Sequence, residues 1–313
     1  MENLLDRKLL FVTGKGGVGK STVAAGLALL ASLHGKRTLV CEVDAKGNLA
    51  DFFETAPTSF EPREIHPRVF AMSMDTEASL KEYLALQLRI PLLARLGPLA
   101  RTLDFLANAA PGVKEILTVG KLVWEVREAH YDLVVVDAAA TGHIVGQLRA
   151  PQAINDLVSV GLVHQQTDWM LAILEDPATT GVVITASPEE MPVVESLELV
   201  ERLADTDVDV AAVVVNRVLP ELFGRGEEEV FERLRDDEVE AALSAEVGAP
   251  VDPVFEAARL AVTLRRTRAG HLARLRAGVG DIPIVYVPEL FSRTHGLRAT
   301  HQVADALGAE LGL

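Results

Sequence analysis

Leu9-Leu10-Phe11-Val12-Thr13-Gly14-Lys15-Gly16-Gly17-Val18-Gly19-Lys20-Ser21-Thr22 is an apolar run that passes straight into a glycine-rich loop and then into an apolar helical stretch. It satisfies G-x-x-x-x-G-K-[ST] in the strand–loop–helix setting in which that pattern cradles phosphate. Without side chains at Gly14, Gly16, Gly17 and Gly19, successive backbone N–H groups can turn toward phosphate oxygens. A helix starting near Lys20 adds its positive dipole end. Val18 and Thr22 complete the loop's share of the expected nucleotide contacts. Lys20 is expected to bridge β- and γ-phosphates, and Ser21 to offer its hydroxyl to Mg²⁺. Lys15 fills an x position. Its cation is expected near the γ-phosphate of an opposing site, where an arginine finger would act. Supplied by a partner subunit, it would make hydrolysis depend on dimerisation. The plainer alternative is an exposed loop lysine.

Outward from this loop, short unbroken apolar runs recur: Lys8–Thr13, Arg37–Val43, Val69–Met74, Tyr131–Asp137, Gly181–Ala186, Val208–Val215 and Ile282–Val287. Unbroken rather than alternating runs suit parallel strands buried on both faces. The segments between them read as helices; Val193, Leu197, Val200 and Ala204 line one face of Glu189–Ala204. The fold class expected is α/β, a doubly wound, mostly parallel sheet of about seven strands. Two intervals exceed a plain crossover. Thr76–His130 holds about three helices, including the leucine-rich Leu80–Leu106, and Gly142–Thr180 holds a shorter stretch through Trp169, Met170, Ile173 and Leu174. Residues 1–313 are expected to form one domain, with a helical subdomain at one end from about 76–130 and 143–180. Its leucines could be core or could line a groove for an apolar partner. A third interval, Leu219–Asp281, holds acidic runs and then a long helix.

Hydrolysis also needs carboxylates. The strand Arg37–Val43 ends at Asp44, a candidate to orient or deprotonate the attacking water and to serve the metal. The run Tyr131–Asp137 has the form of a Walker B strand, so Asp137 is expected to reach Mg²⁺. Ala138–His143 is small and glycine-containing, as suits a segment that moves on loss of γ-phosphate. A strand-end aspartate can alternatively cap a helix.

Composition narrows the partners. A formal charge of −15 repels nucleic-acid backbones, so no nucleic acid is expected. The densest basic stretch, Arg265, Arg266, Arg268, Arg274 and Arg276, reads as a solvated helix face. The single cysteine, Cys41, lies in an apolar run and reads as a buried thiol. The N-terminus shows no signal-peptide pattern and no apolar run is long enough to span a bilayer, so a soluble cytoplasmic protein is expected.

The chain resembles the ArsA-type ATPases, which include the arsenite-pump ATPase and the cytosolic ATPase that targets tail-anchored membrane proteins. It looks most like the single-domain bacterial members labelled anion-transporting ATPases. The loop with its second lysine is shared with the wider SIMIBI class, including MinD, ParA and nitrogenase iron protein. More specific are Asp44-Ala45-Lys46-Gly47-Asn48-Leu49-Ala50-Asp51, which resembles the first switch, and Asp137 through Thr141-Gly142-His143 to Pro151, which resembles the second. The resemblance places Glu189 near nucleotide across a dimer. It makes Val215-Asn216-Arg217-Val218-Leu219 the adenine-recognising segment, with Asn216 reading the base, and Pro288-Glu289-Leu290 the loop that closes over adenine. It implies ATP/ADP and Mg²⁺ as ligands, and a homodimer or a heterodimer with a related ATPase subunit. A hydrophobic protein client or membrane-protein partner is also implied. The family's first switch has Pro and His where this chain has Ala45 and Gly47. The CxxC that holds zinc in some family dimers is absent, so no zinc is expected.

Two other functions compete. A MinD/ParA-like positioning ATPase would bind membrane or DNA, but Thr300–Leu313 has no lysine or arginine and carries Asp305 and Glu310. A low-turnover nucleotide-binding subunit would rely on a relative for catalysis.

Overall fold

The computed structural model describes residues 4–44, 47–88, 112–158, 160–221, 223–224, 226–234, 236–290 and 296–313. A short 3₁₀ turn, Leu4–Asp6, leads into β1 (Leu9–Gly14) and α1 (Lys20–Leu33), then β2 (Thr38–Glu42) and α2 (Asn48–Phe52). β3 (Arg63–His66), β4 (Val69–Ser73), α3 (Thr76–Leu88) and α4 (Val113–Arg127) follow, then β5 (Leu133–Asp137), α5 (Thr141–Leu157) and α6 (Leu162–Leu174). The chain continues through β6 (Thr180–Ala186), α7 (Glu190–Ala204), β7 (Val210–Val218), α8 (Glu227–Leu234), α9 (Asp237–Val247) and α10 (Asp252–Val279). β8 (Ile284–Pro288) and α11 (Leu297–Leu311) close it.

The sheet runs β3-β4-β2-β5-β1-β6-β7-β8, and every pairing is parallel except β3 with β4. Alternation along each strand serves two cores. Leu9 and Phe11 of β1 join α4, α5 and α7 on one face, while Leu10 and Val12 join α1 and α11 on the other. Burial on both faces is why these strands read as unbroken apolar runs. Each fully buried Leu, Val or Phe contributes roughly 1.5–3 kcal/mol of transfer free energy.

The strand β3 is an addition to the seven expected. Its first two residues, Arg63 and Glu64, are exposed and charged, so it lacks the apolar run that marked the others; charge on a sheet edge discourages further pairing. Gly142–Thr180 holds two helices rather than one short stretch. The first, α5, carries Pro151 in its interior, a residue that removes one backbone donor from the helix. Residues 89–111, which include most of the leucine-rich Leu80–Leu106, lie outside the described residues, as do Ala45 and Lys46 of the first switch. Among the described residues α4 packs on α3, α5 and α6. These helices border a largely apolar cavity of about 240 Å³ lined by Tyr83, Ile116, Trp124, Trp169 and Met170. No helix of the described residues is long and apolar enough to cross a membrane. Cys41 is fully buried, and that burial pushes its thiol far above the ordinary range.

Candidate functional site

The parallel order puts the C-terminal ends of β2, β5, β1 and β6 side by side, the edge at which open α/β sheets bind ligands. Gly14, the last residue of β1, lies opposite Thr185 of β6 with φ of 149°. A Cβ at Gly14 would overlap the Thr185 carbonyl oxygen, so the first glycine of the loop permits a close approach of two strands. Gly16 and Gly17 are exposed at the turn, and Val18 is buried beneath it. Gly19 stands at the helix N-cap position with φ of 96°. No side chain caps α1, which leaves the N–H groups of Lys20, Ser21 and Thr22 in the geometry an anion takes at a helix N-terminus.

A carboxylate from β5 meets the loop. Ser21 Oγ donates to Asp137 Oδ2 at 2.5 Å. Asp137 is nearly buried, and burial pushes its carboxyl up to about 6, against the Ser21 hydrogen bond and the Lys20 charge and with help from Glu42 and Asp44. Glu42, in register with Asp137 on the neighbouring strand, is itself buried and accepts from Gly47 N at 3.1 Å. Glu42 carries no sequence signal, because it lies inside an apolar run, one strand away from Asp137. Asp44 is exposed and borders a cavity of about 280 Å³ with His143, Gln147 and Lys114.

The buried acid group fits a hard cation. Ser21 and Asp137 converge as oxygen donors, and Asp137 holds its negative charge at a cost that a divalent ion would remove. Its folded pKa of about 6 lies above the ordinary 3.8, so the native state takes up the proton more readily than the unfolded chain. The associated stability is therefore complete below the unfolded value and lost as pH rises through the folded one. In metal-free, nucleotide-free buffer Asp137→Asn is expected to be more stable than the parent by about 3 kcal/mol at pH 7. The gap should close as the pH falls toward 4. Thermal melts of both proteins across that window, in chelator, check this.

Lys20 Nζ lies 3.3 Å from the carbonyl oxygen of Lys15. Lys15 itself is not a free loop lysine: its ammonium meets Glu195 Oε1 of α7 at 2.5 Å. The other oxygen of Glu195 accepts from Thr141 Oγ1 at 3.4 Å. Glu189 lies 3.9 Å from Arg268 of α10, and Arg268 also reaches the carbonyl of Arg217 at 3.5 Å. Arg268 thus departs from the solvated face expected of its helix, with a side chain only 22% exposed.

Thr22, Asn216, Arg217, Pro288, Glu289 and Leu290 line one large cavity of about 840 Å³, together with Asp51 and Glu54. Asn216 Nδ2 donates to the Val18 carbonyl at 2.9 Å, and its Oδ1 accepts from Arg217 N at 3.0 Å, so the amide plane is set against the phosphate loop. Arg217 has φ of 60° and Glu54 φ of 50°, strained values for non-glycine residues that border the same cavity. Glu54 accepts from Leu297 N at 3.2 Å. No sequence pattern flagged Glu54 or Glu195, because their partners lie far off in the chain.

Comparison with known proteins adds to this geometry. The family model for anion-transporting ATPases, the ArsA ATPases, matches residues 7–166 and 159–241. ATPase BagA of Mycobacterium tuberculosis is 34% identical over 224 residues, 68% of this chain and 66% of that protein. A putative arsenical pump-driving ATPase of Halobacterium salinarum is 29% identical over 258 residues, 75% of this chain but 39% of its own length. The chain thus spans somewhat less than two thirds of the mycobacterial relative and well under half of the haloarchaeal one. ATPase get3 of Schizosaccharomyces japonicus is 25% identical over 345 residues, 98% of this chain and 95% of that protein. The matched span contains the phosphate loop, Asp44, Asp137 and Asn216, and the chain belongs to the anion-transporting ATPase family of the ArsA type.

Proposed function

We propose that this protein is a Mg²⁺-dependent ATPase that closes as a dimer around ATP and uses hydrolysis to reopen. The observation that carries the reading is one phosphate loop holding two lysines beside the Ser21–Asp137 pair. ATP takes the loop with its phosphates on the backbone N–H groups of Gly16–Thr22 and on Lys20, and its base in the cavity bordered by Asn216 and Pro288–Leu290. Ser21 and Asp137 would hold Mg²⁺, and the ion would supply positive charge against the phosphates. Asp44 orients the attacking water and takes its proton. Lys15 of each subunit leaves Glu195 and reaches the triphosphate held by the other, stabilising charge that develops as the γ-phosphoryl group departs. Glu189 faces nucleotide across the same interface.

Loss of the γ-phosphate is read out through Asp137 and the start of α5, a helix that packs on α4 and α6, with α3 packed on α4 in turn. We assign these helices, from about 76–130 and 143–180, to a helical subdomain that handles a hydrophobic protein client or membrane-protein partner. The apolar cavity beside Trp124 and Trp169 supports that assignment. The family relationship supports action in the cytoplasm.

The test is Asp44→Asn. The variant is expected to bind Mg-ATP, form dimers and hold them for hours, with turnover down by about two to four orders of magnitude. Sedimentation with radiolabelled ATP checks both. Parent-like turnover would remove Asp44 from the chemistry, and a strictly monomeric protein hydrolysing at full rate would end the dimer reading.

A further inference from the structure

Lys15 has a partner within its own chain, and that partner sits on a third element. Glu195 lies on α7, which follows β6, and joins two segments that the proposed cycle requires to move. Its Oε1 meets Lys15 of the phosphate loop at 2.5 Å, and its Oε2 meets the hydroxyl of Thr141, the first residue of α5, at 3.4 Å. Side-chain exposures of 30% for Lys15 and 27% for Glu195 place the pair at the edge of solvent, sheltered enough to exceed an ordinary surface ion pair.

One ammonium cannot serve two anions far apart. A lysine bound to Glu195 is withheld from any triphosphate outside its own chain, so a trans contact has to break the Lys15–Glu195 bond first. The same carboxylate also touches the segment that follows Asp137 through Ala138–Ala140. Displacement of Thr141 would strip Glu195 of one of its two partners and change its hold on Lys15.

We propose that Glu195 is a positioning residue that clamps Lys15 in cis and sets the threshold for nucleotide-driven pairing of two subunits. This inference rests on the trans role given to Lys15 above and deepens it. Without the clamp, Lys15 starts free to reach across, and pairing becomes easier. With it, the loop and the start of α5 must rearrange together, so that one subunit alone does not present its lysine.

The experiment measures ATP turnover of the full-length chain as a function of protein concentration, with sedimentation velocity in Mg-ATPγS alongside. Glu195→Gln is expected to lower the protein concentration for half-maximal turnover by roughly three- to tenfold, while kcat at saturating protein stays within about twofold. Glu195→Asp keeps the charge and should fall between parent and Gln variant. Glu198→Gln removes an equal charge from the same helix and should leave the threshold unchanged, which separates the clamp from a general easing of repulsion in a chain of charge −15. Raising salt should lower the parent's threshold more than that of Glu195→Gln, because screening of repulsion is common to both and only the parent has the ion pair to lose. A Glu195→Gln threshold equal to or above the parent's overturns the clamp, and so does an equal shift in Glu198→Gln. Lys15→Ala tells the two ideas apart. If it pairs and hydrolyses like the parent, the trans reading fails; if it is inactive while Glu195→Gln is unshifted, only the clamp fails.

Discussion

Lys15→Ala is expected to bind Mg-ATP within a few-fold of the parent and to lose turnover by about three orders of magnitude, the scale on which a trans cation acts at a departing phosphoryl group. The reasoning separates the two lysines of one loop. Lys20 begins α1 and lies against the loop's own backbone, at the carbonyl of Lys15, so it is placed to hold phosphates in cis. Lys15 is held instead by Glu195 on α7. Truncating Lys15 therefore leaves the cis cradle whole. Calorimetric titration with ATP, beside turnover at saturating nucleotide, measures the two effects separately. Equal loss of affinity and turnover would return Lys15 to its own subunit's site.

Gly14→Ala is expected to cost about 3–5 kcal/mol of stability and with it nucleotide binding. The added methyl would run into the Thr185 carbonyl of the neighbouring strand, and φ of 149° is a conformation that alanine rarely adopts. A carbonyl in the middle of a sheet cannot retreat without breaking the β1–β6 pairing, so relief must come from displacement of the loop. Gly16→Ala is the internal control, since a Cβ there meets nothing within contact range. Thermal denaturation of the two variants with and without Mg-ATP should show a large loss for the first and a small one for the second. A Gly14→Ala protein as stable as the parent would contradict the strand spacing described here.

Much of this molecule is legible without coordinates, for a local reason. The phosphate loop is contiguous: strand, glycines, lysine and hydroxyl follow within one stretch, and their backbone geometry depends on residue type at fixed spacing. The parallel sheet is legible because burial on both faces leaves unbroken apolar runs. Where burial was one-sided or absent the signal vanished, as at β3.

The site's cross-connections were decided elsewhere. Ser21 meets Asp137, Glu42 lies in register with Asp137, and Asn216 turns back onto Val18 because strand order sets them side by side. Nothing in the spacing of these residues along the chain encodes that order. Lys15 shows the division most sharply. Its presence in the loop follows from the sequence alone, whereas its hold on Glu195 exists only because β6 lies next to β1 and carries α7 to the loop's side. Local chemistry set which groups this protein owns, and packing of the sheet set which of them touch, since charges interact through space and not along the backbone.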